Sequence, residues 1–214
     1  MILINGHVID LVFGFVTVAI ALGLSYVFLL TLLSRTRQKI WVPRSYREGD
    51  PSVIFVIPCL NEEAVIEASL QRLLAMDYPD LHILVIDDGS DDDTAQIVRG
   101  LDAPQIHLLQ RHLPNARLGK GEALNAAFAH IRAGNLCDVS GPENVLIVVV
   151  DADGRMEPDS LRYVIPAFED PTLGGVQIGV RINNRTNNLL ARMQDMEFVL
   201  YTEVFQRARV RLRT

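Results

Sequence analysis

The sequence predicts an α/β fold, a mostly parallel sheet with flanking helices, preceded by one transmembrane helix. Three observations carry this. Leu11 to Ser34 contains no charged side chain. After Pro51 the chain alternates short apolar runs with helical patterns, the signature of strands joined by crossover helices. The clearest of those runs, Val145 to Val150, has no polar alternation, as expected of a strand covered on both faces.

A helix needs about 20 apolar residues to cross the hydrocarbon core, and Leu11 to Ser34 is long enough. Arg35, Arg37, Lys39, Arg44 and Arg47 follow it, whereas only Asp10 precedes it as a charged side chain. The excess of basic residues places the C-terminal side in the cytoplasm and the N-terminus outside. A cleavable signal peptide would show a basic start, a shorter apolar core and a small-residue cleavage site, so an uncleaved single-pass cell-membrane anchor is expected over residues 1–34. Residues 35–50 read as a basic juxtamembrane linker, with Trp41 and Tyr46 available to the membrane interface. Residues 51–214 read as the α/β domain.

Within it, Ser52 to Ile57 is expected as a buried strand ended by Pro58. Asn61 is expected to cap a helix with Glu62 and Glu63 in its first turn and Val65, Ile66, Leu70, Leu73 and Leu74 on its apolar face. Leu81 to Ile86 is the second strand. Ser90 is expected to cap the next helix, with Asp93 as the capping-box acid. A third strand, Ile106 to Leu109, a helix from Gly121 to Ala133 closed by Gly134, and the Val145 to Val150 strand complete the pattern. From Asn187 onward Leu189, Leu190, Met193, Met196, Leu200 and Val204 recur at helical spacing. That apolar face reads as core, with a membrane-surface helix as the alternative, given Arg207, Arg209, Arg211 and Arg213.

Composition narrows the function. A net charge of −6 excludes a nucleic-acid surface driven by phosphate contacts. Cys59 and Cys137 are far apart and read as reduced, buried thiols, and His7, His82, His107, His112 and His130 show no metal-ligand spacing. The acids instead gather at strand ends. Right-handed crossovers point parallel strands one way, so Pro58 to Glu62, Asp87-Asp88 and Asp151-Ala152-Asp153 would line one edge, where open α/β sheets bind ligands. Two carboxylates two residues apart can converge on one hard cation, with Ala152 leaving room for its approach. Lys120 between two glycines suits a phosphate. It is no P-loop lysine, since Pro114 and Gly121 stand where that motif requires Gly and Ser or Thr, and no dinucleotide fingerprint follows the first strand.

Pro58-Cys59-Leu60-Asn61-Glu62, Asp87-Asp88-Gly89-Ser90-Asp91-Asp92-Asp93-Thr94, Gly119-Lys120-Gly121-Glu122-Ala123-Leu124-Asn125 and Asp151-Ala152-Asp153 resemble, in this order, the motifs of family 2 glycosyltransferases of the GT-A fold. The resemblance runs from Ser52 to Arg213. Gly175 to Ile182, followed by Asn187 to Phe205, further resembles membrane-bound polysaccharide synthases. It implies a hexosyltransferase-type enzyme that moves a sugar, with inversion, from a UDP- or GDP-sugar to a polysaccharide or lipid-linked acceptor with Mg²⁺ or Mn²⁺ as cofactor. It further implies that Pro58, Leu60 and Glu62 form the nucleoside wall, that Asp88 bonds the base with Asp87 nearby, and that Lys120 faces the diphosphate or sugar. Asp153 would be the direct metal ligand and Asp151 would act through water or on the sugar.

An inverting transfer needs a general base. The family carries it in a Thr-Glu-Asp motif, and processive members add Gln-x-x-Arg-Trp; neither motif occurs here, Trp41 being the only tryptophan. Glu157, Asp159, Glu169, Asp170, Asp195, Glu197 and Glu203 do not match the first. The expectation is therefore a truncated, donor-binding chain with little transfer activity. A non-catalytic membrane-anchored nucleotide-sugar-binding fragment and a nucleotidyltransferase are the alternatives. The second should carry a basic Gly-rich loop after the first strand, where this chain is acidic and Gly-free.

Overall fold

The structure, a computed structural model, describes residues 6–35, 41–134, 136 and 144–212. Arg37, Lys39, Cys137 and Arg213 lie outside them. The chain divides into two compact units, one from residues 1–40 and 176–214 and the other from residues 41–175.

The unit of residues 41–175 is built on four parallel strands, β1 (Ser52–Cys59), β2 (Leu81–Asp87), β3 (Ile106–Gln110) and β4 (Val145–Val149), in the order β3-β2-β1-β4. Successive side chains leave opposite faces of a strand. Val53, Phe55, Ile57 and Cys59 therefore meet α2 (Ile66–Leu74), α3 (Thr94–Gly100) and α5 (Ser160–Val164), which continues into a 3₁₀ turn at Ile165–Glu169. Ile54 and Val56 meet α4 (Lys120–Arg132), which buries Ala123, Ala127 and Ile131. Three layers result. Small alanines at every fourth residue let α4 lie close on the sheet.

Three expectations need correction here. β1 runs through Pro58 to Cys59 instead of stopping at Ile57. A parallel strand directs the backbone groups of alternate residues to alternate neighbours, and Val56 bonds β4, with Val150 N–H donating to its carbonyl at 3.1 Å. Pro58 faces the same way, beyond the last β4 pairing at Val56 and Val149, so its missing N–H breaks no ladder bond. Neither Asn61 nor Ser90 caps a helix: the N-caps of α2 and α3 are Val65 and Asp93, without side-chain cap bonds. Finally, among the described residues β4 is not covered on both faces. It is an edge strand, with Ile147 at 38% and Val149 at 50% exposure.

Between residues 41 and 50 the segment before β1 is tied to the sheet domain. The Arg44 guanidinium bonds Asp50 and Glu169, the Arg44 backbone N–H donates to the Arg162 carbonyl, and Tyr46 packs edge-on against Tyr78 at 4.7 Å. Tyr46 is thus held by the domain.

The other unit contains α1 (Gly6–Ser34) and a continuous helical stretch made of α6 (Leu189–Val199), a π-helical segment (Leu200–Gln206) and α7 (Arg207–Leu212). Within α1, residues 7–34 are long and apolar enough to cross a membrane. Asn188 caps α6 by accepting the Ala191 N–H at 2.8 Å.

Candidate functional site

The strand register sets the site. Cys59 aligns with Asp87 and Asp87 with Gln110, while β4 ends beside Val56, so the segments leaving β1, β2, β3 and β4 meet at one edge of the sheet.

At the end of β2 both acids are buried. Asp87 accepts the Ser90 N–H and the Gln110 side-chain amide, each at 2.9 Å. Asp88 pairs with Arg111 at 2.5 Å, and its N–H donates to the Cys59 carbonyl at 2.9 Å. Such satisfaction is what permits two adjacent carboxylates to leave water. Gly89 follows with a positive φ of 85°, and a Cβ there would sit 3.0 Å from the Ala116 Cβ. Its carbonyl accepts from Arg117 at 2.8 Å and 3.0 Å, and Arg117 also reaches Asp91 at 3.1 Å.

The residues read as caps join two loops instead. The Asn61 N–H donates to Ser90 Oγ, the Asp91 N–H to Asn61 Oδ1, the Glu62 N–H to Thr94 Oγ1 and the Asp93 N–H to Glu63 Oε2, at 2.8–3.0 Å. Asn61, at φ 59°, occupies the left-handed region that Asn tolerates. These bonds span about 30 positions of sequence, so local capping patterns did not show them.

At the end of β4 the geometry opens. Ala152 is buried in the core beside α2 and α5, so its methyl anchors the turn instead of clearing space for a cation. Asp151 and Asp153 on either side are exposed. The Gly154 N–H donates to the Asp151 carbonyl at 2.8 Å, and a Cβ at Gly154 would lie 2.7 Å from Val150 Cγ1, so the turn admits only glycine. Lys120, the first residue of α4, forms an ion pair with Asp151. Glu62 is held above the usual carboxylate range by partial burial and then by the negative charges of Asp153, Asp92 and Asp151, so acids at the β1, β2 and β4 ends share one field. Burial, then Glu62, Asp87 and Asp92, push the Cys59 thiol up to about 12, so it is not a nucleophile at neutral pH.

The edge thus gathers Pro58, Leu60, Glu62, Asp87, Asp88, Lys120, Asp151 and Asp153. The sequence reading missed Arg111 and Gln110, and it did not foresee that Thr94, quoted in the second motif, accepts from the Glu62 N–H. Arg111 stands one residue beyond β3 on the same edge, so extending the strand-end argument to the third strand finds it. His82 and His107 pack against each other, ring centres 5.8 Å apart, near the opposite ends of β2 and β3. Among the described residues no group of three or more His, Cys, Asp or Glu side chains could hold a metal.

A family model described as Glycosyl transferase family 2 matches residues 54–213. The chain belongs to glycosyltransferase family 2. Its relatives include the β-monoglucosyldiacylglycerol synthase of Synechocystis sp., 35% identical over 75% of this chain and 32% of that protein. A poly-β-1,6-N-acetyl-D-glucosamine synthase of Staphylococcus epidermidis is 27% identical over 72% of this chain and 34% of that one. The chain spans about a third of the length of these curated relatives. Among solved structures, a mannosyltransferase from Pyrobaculum calidifontis in complex with GDP-Man and Mn²⁺ superposes with a TM-score of 0.58 at 27% identity, covering 77% of this chain and 45% of that one. The fold is that of GT-A glycosyltransferases, as the strand-end motifs implied.

Proposed function

We propose that this sheet edge is the donor site of an inverting, metal-dependent transferase that takes a sugar from a UDP- or GDP-sugar. The observation that carries it is the placing of Glu62, Asp151 and Asp153 at one sheet edge, where Asp151 pairs with Lys120 and the charges of Asp151 and Asp153 act on Glu62, together with the paired Asp88 and Arg111 at the end of β2. The similar mannosyltransferase, solved with GDP-Man and Mn²⁺, supports the reading.

The residues fit a hard divalent cation. Oxygen donors on two exposed carboxylates, with other negative charges nearby, suit Mg²⁺ or Mn²⁺, which is commonly held by one or two protein carboxylates together with substrate phosphates. Asp153 would be the direct ligand, and Asp151 a ligand or a partner to the sugar. Bound there, the cation would neutralise the diphosphate as the anomeric C–O bond breaks. Lys120, now paired with Asp151, is free to turn its ammonium to a phosphate once Asp151 has another cationic partner. Pro58, Leu60 and Glu62 would wall the nucleoside. Asp88, one oxygen fixed by Arg111, would accept from the base, and Asp87 would hold the turn that positions it.

The roles assigned to the described residues stop at the donor. Of the later acids, Glu169 is engaged by Arg44 and Asp195 by Arg181. We assign residues 51–214 to donor binding and residues 1–34 to a single-pass cell-membrane anchor with a cytoplasmic catalytic domain. The acceptor would be a polysaccharide or a lipid-linked group, in keeping with the names of the relatives. Robust sugar transfer by the 214-residue chain alone would overturn the donor-only assignment.

Calorimetric titration of UDP and GDP with and without Mn²⁺ tests the site. Binding should require Mn²⁺ and weaken at least tenfold, about 1.4 kcal/mol, in Asp153→Ala. Unchanged affinity in that variant would remove Asp153 from the site.

A further inference from the structure

The helical stretch that follows Asn188 is inside out. Leu189, Met193, Met196 and Leu200 recur at i, i+4, i+7 and i+11, a single stripe on a helix. They are 73%, 58%, 69% and 49% exposed. The face turned inward carries Ala191 and Asp195 instead. Asp195 is fixed there by Arg181, at 2.7 Å and 3.0 Å, and by the Ile182 N–H at 2.9 Å, so a buried polar lock sets which side of α6 points out. A stripe of this kind needs a cover, because contiguous exposed apolar surface is costly in water.

What that cover is follows from α1. Residues 7–29 of α1 are exposed, whereas Leu30 is completely buried. The elements packed on α1 are the π-helical segment and α7, and Ala208 of α7 is likewise completely buried. The contact therefore lies at the last turns of α1. At 1.5 Å per residue, Leu11 to Leu30 spans about 30 Å, the thickness of the hydrocarbon core. If α1 crosses the bilayer, Leu30 sits at its cytoplasmic boundary and α7 is fastened at the same depth. Arg192 and Arg209 are exposed on this helical stretch, and at that depth their cations would meet lipid phosphates.

We propose that the helix from Leu189 to Leu212 docks on the cytoplasmic membrane surface, with Leu189, Met193, Met196 and Leu200 in the headgroup and acyl boundary of anionic lipids. The inference rests on α1 spanning the membrane, and it adds a second, in-plane contact to that anchor. Such a helix would hold the segment that follows the sheet domain at the level where a lipid-linked or emerging acceptor is met.

The test places a tryptophan in the stripe. In the full chain carrying Trp41→Phe, Met196→Trp is reconstituted into phosphatidylcholine vesicles containing a minority of phosphatidylglycerol, and Leu189→Trp is a second reporter should the first fail to fold. Phe15→Trp, in the middle of α1, reports on the span. Acyl-chain-brominated lipid should lower the Met196→Trp emission by about half or more, and acrylamide should quench it poorly. If Phe15→Trp is quenched by bromine while Met196→Trp and Leu189→Trp respond only to acrylamide, the surface docking is wrong and the anchor stands. Shielding of the stripe from both quenchers means that protein covers it, either a second copy or further polypeptide, and equally overturns the proposal. Insensitivity of Phe15→Trp to brominated lipid removes the anchor and the docking together.

Discussion

At the end of β2, Asp87 and Asp88 are buried, and Ser90, Gln110 and Arg111 meet their oxygens. At the end of β4, Asp151 and Asp153 stand exposed on a turn anchored by the buried methyl of Ala152, and Asp151 is paired with the flexible ammonium of Lys120. Both strand ends offer two carboxylates, yet one pair is satisfied by the protein itself and the other, in the donor site proposed above, would be completed by a ligand. A finished site holds its shape before anything binds, which suits reading a planar base. An open one would suit the cation and diphosphate of that proposal, whose charges arrive together.

The sharpest way to break this contrast is to remove the cation from each side. Arg111→Met leaves the Asp88 carboxylate buried without its partner and should cost about 3 kcal/mol or more. Lys120→Met removes an exposed pair and should cost at most about 1 kcal/mol. Urea unfolding of the full chain in detergent micelles compares the two. Equal costs would mean that the β2 end is no more built than the β4 end.

Next in size is the turn that carries Asp88 into the loop. Gly89 combines a φ of 85° with an absent Cβ that would meet Ala116 at 3.0 Å. Gly89→Ala should lose about 1–2 kcal/mol to the left-handed backbone alone. The same midpoint measurement checks it, and a neutral result would mean the loop relaxes freely. Asp151→Asn and Asp153→Asn should each stay within about 0.5 kcal/mol of the parent in the absence of metal, as exposed positions do. A large loss in either would show that the β4 turn depends on its charges for folding.

Much of this was legible in the sequence because it depends on local pattern. The strands, their common direction and the gathering of acids at one edge follow from unbroken apolar runs and crossover handedness, and the uncharged run of α1 follows from length. What was not legible depends on partners far along the chain. Asn61 and Ser90 have the composition of helix caps, but each satisfies a backbone or side chain about 30 positions away, and no local rule distinguishes those uses. Arg111 is an ordinary basic residue until β3 takes its place beside β2 and sets it against Asp88. β4 has the composition of a covered strand, yet its exposure depends on what lies beside it, which its own residues do not state. Ala152 is the subtlest case, because smallness serves equally to clear a ligand and to fill a core.

Glu62 gives the smallest effect and the most specific. Its carboxyl is raised by partial burial and by Asp153, Asp92 and Asp151, so the folded chain binds that proton more tightly than the unfolded chain does. A raised acid contributes stability that is fully present below its unfolded value and is lost as pH rises through the folded one. The loss should therefore begin near the ordinary Glu value of about 4.3 and be complete above the raised value. Asp50 and Asp195 are depressed by Arg44 and Arg181 and act with the opposite sign, losing stability as pH falls below the ordinary aspartate range. Those contributions are common to the parent and Glu62→Gln, so the difference between the two chains isolates Glu62. Unfolding midpoints from about pH 4 to about pH 7 should show Glu62→Gln gaining on the parent as pH rises. Saturating Mn²⁺ with UDP or GDP, by placing positive charge among the same acids, should shrink that gain. Parallel curves with and without the ligand would mean that the β1 and β4 acids do not share one field, and the metal side of the site would then have to be drawn without Glu62.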